Sequence, residues 1–391
     1  MSKRKGTTMS YQVRVPMSVY GGERCLSKVR EVIAKENVKK ALVFTDLGIV
    51  RAGLLKLLTD ELDQCGTAYV VFDQLAPEPS YHDVERVMRD VESCEGDFVI
   101  AIGGGSVIDV AKLATVLKGA DYTVRDLLKT PALAVKRMKS LMIPTTCGTG
   151  AEATCNSIVA VPEENVKVGI VNDDLIPDYV ILDPAMIAAL PKHIVAATGV
   201  DALAHAVECY TSKKASPLSD TFALAAAKLL FANIKKAYAY PNNIQAKNNM
   251  MLGAFYGGIA ITGSGTTAVH ALSYPLGGKY HIAHGVSNAI LFAHVMEFNR
   301  DACADRLATL CDAIRPDLSY LHIEDKAQYV IDEIRDIVKF TNIPTKLDEF
   351  GVHREDLDTL VEAGSQVTRL LDNNRRKMTK EDIRMIYEKV L

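Results

Sequence analysis

Four residues in the second half of the chain, Asp201, His205, His270 and His284, have side chains that could share one divalent metal ion. Asp201 and His205 stand four residues apart in a run that favours a helix, so both lie on one helix face. Pro275 and the glycines after it predict a break between helices, which would let the two later histidines converge. One carboxylate oxygen and three imidazole nitrogens suit Fe(II), Zn(II), Mn(II), Co(II) or Ni(II) and leave positions for substrate. An ordinary surface contact is the competing interpretation of the Asp201–His205 pair alone.

A glycine-rich segment follows the predicted strand that ends at Ile102. It begins with the residues Gly103, Gly104, Gly105 and Ser106. Glycines let the backbone approach an anion closely, and the predicted helix that follows directs its free N–H groups and its positive dipole end to the same place. The segment therefore predicts a pyrophosphate site, with a plain structural turn as the alternative interpretation.

Asp46 follows a second predicted strand, Ala41–Thr45. From that position its carboxylate could accept hydrogen bonds from the ribose of an adenosine. The same charge would repel a 2′-phosphate, so the residue favours NAD over NADP. The competing interpretation of Asp46 is a cap on the helix that follows.

A loop rich in hydroxyls and glycines, Pro144–Thr154, follows another predicted strand. Its backbone and hydroxyl donors could wrap a nucleotide, although small polar loops usually only turn the chain. The loop contains Cys147, which has no neighbouring base in the sequence. A thiol nucleophile is therefore not favoured.

The elements that must position these residues change character near Pro191. Before it, short apolar runs at 41–45, 68–72, 98–102 and 140–143 alternate with helical patterns at 26–36, 53–65, 81–93 and 107–117. This alternation is typical of a parallel sheet covered on both faces. After it come long helical patterns such as 220–238 and 324–340. A chain of 391 residues is longer than one hydrophobic core usually supports, so two domains are expected. We predict an α/β dinucleotide-binding domain over 1–190 and an all-α metal-binding catalytic domain over 191–391. The boundary is expected within 181–191, and the ligand cleft is expected between the halves.

Composition indicates an enzyme of small molecules. The net charge of −3 gives no reason to expect a nucleic-acid partner or an anionic membrane surface. The eight cysteines are scattered singly, with no CxxC pair and no secretory leader, which predicts reduced thiols in the cytoplasm. The sequence contains no uninterrupted apolar stretch of about twenty residues, so no transmembrane helix is predicted.

The segments 103–112, 144–154, 199–205 and 270–285 occur in the order and at the spacings of one family, and the chain resembles the iron-dependent, or group III, alcohol dehydrogenases over essentially its whole length. The resemblance implies the two-domain fold shared with dehydroquinate synthase, a homodimer or higher homo-oligomer, and Fe(II), or Zn(II) or Mn(II), held by the four ligands above. It also implies that NAD(P) contacts the residues Asp46, Gly104, Gly105, Ser106, Asp109, Thr145, Thr146, Thr149 and Lys167.

The chemistry of such a site predicts an NAD-dependent alcohol dehydrogenase or aldehyde reductase acting on a small primary alcohol or aldehyde. The metal would bind the alcohol oxygen and lower its pKa, and the nicotinamide would carry the hydride. One alternative is a lyase or cyclase of the dehydroquinate synthase type, whose metal site usually includes a glutamate. The other is a non-catalytic metal-binding or assembly protein, which the intact ligands and phosphate loop disfavour.

The proton path and the substrate are less constrained by the sequence. Many relatives carry a histidine four residues after the third ligand, where this chain has Tyr274. His281, three residues before His284, is a candidate proton carrier or substrate contact in its place, with Tyr274 or water at the metal as alternatives. Lys279 and His281 hint at a substrate with an anionic tail, such as a hydroxy acid, a hydroxyalkyl sulfonate or a hydroxyalkyl phosphonate. The competing interpretation of Lys279 is a solvated surface residue.

Overall fold

A computed structural model describes residues 10–164 and 166–391 of the protein. Six parallel strands form one sheet, and two further strands form an antiparallel hairpin. In chain order the strands are β1 (Ser18–Gly21), β2 (Lys40–Phe44), β3 (Ala68–Phe72), β4 (Phe98–Gly103), β5 (Lys139–Pro144), β6 (Asn156–Val161), β7 (Val166–Val171) and β8 (Tyr179–Leu182). Across the sheet the order is β1, β8, β5, β4, β2 and β3. The predicted parallel sheet is confirmed.

The four predicted strands correspond to β2, β3, β4 and β5, and the remaining strands were not predicted. β1 and β8 have only four residues each, too few for a periodic pattern to be recognised. Because β8 ends at Leu182, the predicted boundary segment begins inside the sheet. The hairpin of β6 and β7 occupies a segment for which the sequence pattern made no prediction.

Helices cover both faces of the sheet, which explains its continuous apolar strands. In chain order they are α1 (Lys28–Glu36), α2 (Leu47–Arg51), α3 (Leu54–Gln64), α4 (Tyr81–Glu92), α5 (Gly105–Leu117) and α6 (Val124–Lys129). Within β4, Phe98, Ile100 and Ile102 join one hydrophobic cluster, whereas Val99 and Ala101 join another. All five side chains are buried, so neither face of this strand meets water.

The direction in which strands are added to the sheet reverses between β2 and β4. The chain proceeds outward from β2 to β3 and then places β4 on the other side of β2. In open α/β sheets, ligands bind in the crevice outside the carboxyl ends of the strands at such a point. Asp46 follows β2 at this crevice, and the glycine segment follows β4.

The second half of the described chain is all helical, as predicted. Its helices are α7 (Lys192–Thr211), α8 (Pro217–Ala239), α9 (Ile244–Ser264), α10 (Ala268–Tyr280), α11 (His284–Asn299), α12 (Ala304–Ile314), α13 (Ile323–Phe340), α14 (Leu357–Ser365), α15 (Thr368–Leu371) and α16 (Lys380–Glu388). α7 is buried along most of its length and packs against α8, α9 and α11. It is therefore the central helix of this half.

The predicted break at Pro275 is wrong, because this proline lies inside α10. Proline lacks the N–H that would bond to the carbonyl of Ala271, and it usually costs a helix about 3 kcal/mol. Residues 268–273 and 275–277 are nevertheless buried, so packing of the flanking turns keeps the helix continuous. The break comes later, where His281 adopts a left-handed φ of 55° and α11 begins at His284.

The hairpin of β6 and β7 connects the two halves, since β6 packs against α5 and β7 against α10. Its attachment to α5 is specific. The Ile158 N–H donates to Asp109 Oδ2 at 2.9 Å, and the Ser157 hydroxyl donates to the Asp109 carbonyl at 3.1 Å. The hairpin thereby carries Lys167 toward the helical half.

Two further findings bear on the predicted environment of the protein. Within residues 10–164 and 166–391, no helix is long and apolar enough to cross a membrane. All eight cysteines have free thiols.

Candidate metal centre and cofactor cleft

The four predicted metal ligands converge in the structure. Asp201 and His205 come from α7, His270 from the first turn of α10, and His284 is the first residue of α11. One ligand atom of each lies within 4.8 Å of the others. The Nε2 atoms of His205, His270 and His284 are 3.8, 3.6 and 3.4 Å from Asp201 Oδ1.

A close approach of two helices produces this convergence. A side chain at Gly285 would collide with the backbone carbonyl of Ala197, which lies one turn before Asp201 on α7. The first turn of α11 therefore rests directly on α7, and only glycine allows that spacing. His284, immediately before Gly285, is held next to Asp201 as a result.

Burial and mutual contact determine the protonation of the cluster. Burial would raise the pKa of Asp201, but the neighbouring imidazoles outweigh it and hold this pKa below its ordinary value. Burial lowers the pKa of His205 and lowers that of His284 to about 3. The cluster therefore presents a carboxylate beside two neutral imidazoles, the forms that bind a cation.

Glu208 orients the third histidine. Its Oε2 is in close contact with Nδ1 of His270, while its Oε1 accepts hydrogen bonds from Thr267 N (3.1 Å), Thr267 Oγ1 (2.7 Å) and Val269 N (2.8 Å). Burial opposes the charged form of His270, but the Glu208 and Asp201 carboxylates outweigh it and raise the His270 pKa to about 9. A carboxylate on Nδ1 leaves Nε2 for the metal, the usual arrangement around ligating histidines.

Asn288 is a second residue around the ligands. Its Nδ2 lies 2.7 Å from Asp201 Oδ1, 3.2 Å from His270 Nε2 and 3.3 Å from His284 Nε2. The amide donates to Asp201 and limits the rotation of that carboxylate. Neither Asn288 nor Glu208 was predicted. Both stand at helical spacing from a ligand, since Glu208 follows Asp201 by seven residues and Asn288 follows His284 by four, but this spacing alone does not separate them from ordinary helix residues.

The donor set fits a divalent transition metal. One carboxylate oxygen and three imidazole nitrogens match the preferences of Fe(II), Zn(II) and Mn(II), and such a set does not by itself select among them. The four candidate ligand atoms lie within 4.8 Å of one another in a largely buried cluster. Such a cluster of polar groups is costly unless a cation compensates it, so the residues fit the metal that the sequence implied.

A cavity of about 330 Å³ joins the metal ligands to the α/β half. Its lining includes the predicted cofactor residues Gly105, Ser106, Asp109, Thr146, Thr149 and Lys167, all four metal ligands and Tyr274. Side chains at Gly105 would collide with Thr149, so the glycine segment and the hydroxyl loop are in direct contact. Two segments that the sequence predicted separately thus form one wall.

A second cavity of about 450 Å³ lies outside the ends of β2, β3 and β4. It is lined by Asp46, Asp73, Gln74, Gly104, Gly105 and Ser106, among others. Gly105 and Ser106 line both cavities, so the two adjoin at the N-terminus of α5. Together they form a groove that extends from the sheet crevice to the metal ligands.

Some predicted cofactor residues have structural roles, either in addition to lining a cavity or instead of lining one. Asp46 lines the second cavity and also caps α2, because its Oδ1 accepts from Ile49 N at 3.0 Å. Gly103 and Thr145 line neither cavity; the Thr145 N–H donates to the Gly103 carbonyl at 3.0 Å and braces the ends of β4 and β5. Asp109 lines the first cavity, but its carboxylate is largely used in holding the hairpin.

The buried Lys112 stabilises the last residues of the hydroxyl-rich loop. Its side chain is 1% exposed, and its Nζ donates to the Ala151 carbonyl at 2.9 Å and to Thr154 Oγ1 at 3.0 Å. The ammonium also lies 3.5 Å from Asp109 Oδ1. The sequence pattern did not identify this residue, because a lysine in a predicted helix usually faces solvent.

The structure does not bring His281 or Lys279 to the cavity. His281 is exposed at the C-terminus of α10, and its left-handed backbone follows the end of the helix. Lys279 is exposed and pairs with Asp356 at 3.0 Å. Neither residue lines the cavity, so the structure does not place the candidate proton carrier beside the metal ligands, and Lys279 lies at the surface, as its competing interpretation has it. Tyr274 does line it, with its ring centroid 6.1 Å from that of His284.

Comparison with known proteins identifies the family of the chain. The iron-containing alcohol dehydrogenase family matches residues 16–184, and the C-terminal model of the Fe-containing alcohol dehydrogenase family matches residues 195–391. The relative named long-chain-alcohol dehydrogenase 1, from Geobacillus thermodenitrificans, is 37% identical to this chain. The matched region covers 94% of this chain and 93% of the relative.

Solved structures show the same fold. A 1,3-propanediol oxidoreductase superposes with a TM-score of 0.94 at 28% identity, covering 98% of this chain and 100% of its own. A sulfoacetaldehyde reductase from Bifidobacterium kashiwanohense, in complex with NAD⁺, has a TM-score of 0.88 at 27% identity, covering 98% of this chain and 99% of its own. The chain belongs to the iron-containing alcohol dehydrogenase family, and is an oxidoreductase of alcohols and aldehydes that uses NAD and a divalent metal.

Proposed function

We propose that the protein interconverts a small primary alcohol and its aldehyde with NAD(H) in the cavity between its halves. The observation that supports this proposal is that one cavity is lined both by residues after β4 and by the four metal ligands. In this proposal residues 1–190 bind the dinucleotide and residues 191–391 hold the metal. The relatives act on alcohols and aldehydes of very different size, so their names leave the substrate of this chain open.

Each residue group has a distinct role in the proposal. Asp201, His205, His270 and His284 would hold an Fe(II), Zn(II) or Mn(II) ion, which would supply Lewis-acid chemistry toward a carbonyl or alcohol oxygen. Glu208 and Asn288 orient these ligands. The N–H groups at the start of α5 and the hydroxyls of Thr146 and Thr149 bind the cofactor, which carries the hydride. Because Asp201, His205 and His270 are buried and His284 is only partly exposed, solvent has limited access to the reacting atoms.

Reduction of aldehydes by NADH tests the function. The purified protein, stripped with a chelator and reloaded with Fe(II), Zn(II) or Mn(II), is mixed with NADH and a panel of aldehydes, and absorbance of NADH is followed. We expect oxidation in proportion to aldehyde only in the reloaded samples. A protein that binds metal but oxidises no NADH with any aldehyde would instead be a metal-binding or assembly protein.

We propose a preference for NAD(H) over NADP(H). Asp46 and Asp73 both line the second cavity, at the ends of neighbouring strands β2 and β3. Two carboxylates beside the expected ribose repel a 2′-phosphate more strongly than one. Gln74 donates to Asp73 at 2.8 Å and helps to hold the second carboxylate in place.

Asp46→Gly is expected to narrow the preference for NADH. The change removes a ribose acceptor and one of the two charges, whereas glycine as an N-cap costs only a few tenths of a kcal/mol. Steady-state kcat/KM values with NADH and NADPH give the preference, and Asp73→Asn should narrow it further in the double variant. A wild-type enzyme that is more efficient with NADPH would contradict the role of both carboxylates.

We propose Tyr274, not His281, as the polar side chain that assists at the metal site. The Tyr274 hydroxyl forms no hydrogen bond with any residue in 10–164 or 166–391, so it is available to a substrate oxygen or to water in the cavity. Burial raises the pKa of Tyr274, opposed by Arg369. A phenol with a raised pKa orients a hydrogen bond well but exchanges protons slowly at neutral pH.

His281→Ala is therefore expected to leave kcat and its pH profile unchanged, whereas Tyr274→Phe should lower kcat. The reason is position, since only Tyr274 lines the cavity. Steady-state kinetics across the pH range, at constant metal content, distinguishes the two. A loss on His281→Ala of the roughly 10²–10⁴-fold typical of general acid–base catalysis would restore His281 as the proton carrier.

We also propose a cytoplasmic homodimer, formed through the β1 edge of the sheet. Val15, Met17 and Val19 alternate along the chain into β1 and are 52%, 54% and 40% exposed. An edge strand with such side chains can pair with its own copy about a two-fold axis. The free thiols support a reducing compartment. Sedimentation equilibrium measures the assembly, and a monomeric mass at micromolar concentration would refute the dimer.

A further inference from the structure

The charged residues that line the metal cavity each have a partner of opposite charge or belong to the metal site, with one exception. Lys167 Nζ lies 2.7 Å from Glu78 Oε1, and Asp109 lies beside the buried Lys112. The remaining carboxylate of the lining belongs to the metal site. Arg369 forms no ion pair or hydrogen bond with any residue that the structure describes. Its guanidinium is therefore the unmatched charge of this cavity.

Arg369 lies at the solvent end of the cavity. It belongs to the short helix α15 and is exposed, yet it lines the cavity together with the metal ligands. A Cβ on Gly169 of β7 would lie 3.3 Å from its Nη2, so the guanidinium rests on the strand that also carries Lys167. A larger residue in place of Gly169 would push the guanidinium away from this strand.

Tyr274 lines the same cavity as Arg369 and the metal ligands. The Tyr274 ring centroid is 6.1 Å from that of His284. A substrate whose carbonyl lies at the ligands would therefore extend past Tyr274 toward the guanidinium.

We infer that Arg369 binds the anionic end of a short aldehyde, such as an ω-carboxylate, sulfonate or phosphonate, whose carbonyl lies at the metal site. This inference rests on the proposed function, because it assumes aldehyde reduction in this cavity. A guanidinium matches the geometry of an oxyanion with two parallel N–H donors, and such charge-assisted bonds are stronger than neutral ones. An alkyl tail at the same place would gain no comparable contact.

The pyrophosphate of NAD is the other oxyanion that must be considered. It is expected at the N-terminus of α5, on the sheet side of the groove, where Gly104 and Gly105 border the second cavity. Arg369 does not line that cavity. Gly169, against which Arg369 rests, belongs to the hairpin, and Tyr274, which lines the same cavity, belongs to α10. The position of Arg369 therefore favours the substrate over the dinucleotide phosphates.

The test compares two aldehydes that differ only at the far end, butanal and succinic semialdehyde. The metal-loaded enzyme and the variants Arg369→Ala and Arg369→Lys are assayed with NADH, with Lys279→Ala as the matched control. Lys279 is an exposed cation that pairs with Asp356 and does not line the cavity. Decanal is included as a long apolar aldehyde.

We expect the wild type to have the higher kcat/KM with succinic semialdehyde. Arg369→Ala should lower the ratio of the two kcat/KM values by about 10- to 100-fold, mainly through KM. In Arg369→Lys the ratio should lie between those of the wild type and Arg369→Ala, because lysine keeps the positive charge but lacks the paired N–H donors. Lys279→Ala should not change it.

Three results would overturn the inference. The first is a wild type that prefers butanal or decanal. The second is an equal loss with both four-carbon aldehydes in Arg369→Ala, which would indicate a structural role. The third is a raised KM for NADH with an unchanged ratio, which would indicate a cofactor contact. If no aldehyde is reduced by any sample, the proposed function fails as well, whereas reduction of butanal with an unchanged ratio refutes only the role of Arg369.

Discussion

Asp201→Ala and His270→Ala are each expected to abolish metal retention and turnover while NADH still binds to the α/β half. Each change removes one of four protein ligands from a cluster whose ligand atoms lie within 4.8 Å of one another. Loss of a residue behind the ligands typically costs 10–100-fold in metal affinity or activity, and loss of a ligand should cost more. His270→Ala also leaves the Glu208 carboxylate buried without its partner, which adds a stability cost.

Metal analysis of the purified variants, together with NADH fluorescence, checks this prediction. Asp201→Asn provides a variant of nearly the same shape, in which the loss of charge alone should release the metal. His193→Ala is the matched control, because His193 is an exposed histidine on the same helix, α7. Full metal content and normal turnover in Asp201→Ala and His270→Ala would refute the metal assignment.

Glu208→Gln is expected to lower metal affinity or kcat by roughly 10–100-fold. The substitution keeps the size of the side chain, and its Oε1 can still accept from Thr267 and Val269. Its amide, however, presents N–H donors to His270 Nδ1. That nitrogen must then accept, so the proton moves to Nε2, the atom that faces the metal site. The neutral histidine is thereby held in the tautomer that cannot bind a cation.

Isothermal titration with Zn(II) and steady-state kinetics at saturating metal separate the two parts of this effect. If the tautomer is the cause, Glu208→Asp should retain more metal affinity than Glu208→Gln, because a carboxylate remains. Glu297→Gln is the control, since the Glu297 carboxylate pairs with Arg300 and Arg335 away from the ligands. Wild-type affinity and kcat in Glu208→Gln would contradict an orienting role.

The catalytic framework could be predicted from the sequence where the signal is local. Asp201 and His205 share a helix face because of their spacing, and the glycines after Ile102 mark a strand-to-helix turn of the kind that can bind an anion. Glu208 and Asn288 carried a similar signal, since both follow ligands at helical spacing. Nothing in the sequence distinguished them from ordinary helix residues, because their role depends on which ligand they meet in space.

Pro275, His281 and Arg369 show where local signals fail. The sequence alone determined the alternation of strands β2 to β5 with helices, the parallel sheet, the glycine turn and the four candidate ligands, because these follow from hydrophobic period and from backbone preferences of neighbouring residues. Only the tertiary structure decided that Pro275 stays inside a buried helix, that His281 is exposed and does not line the cavity, and that Arg369 does line it. Each of these outcomes depends on packing between segments far apart in the chain, such as Gly285 on Ala197 or Arg369 on Gly169, and residue types at neighbouring positions do not encode such contacts.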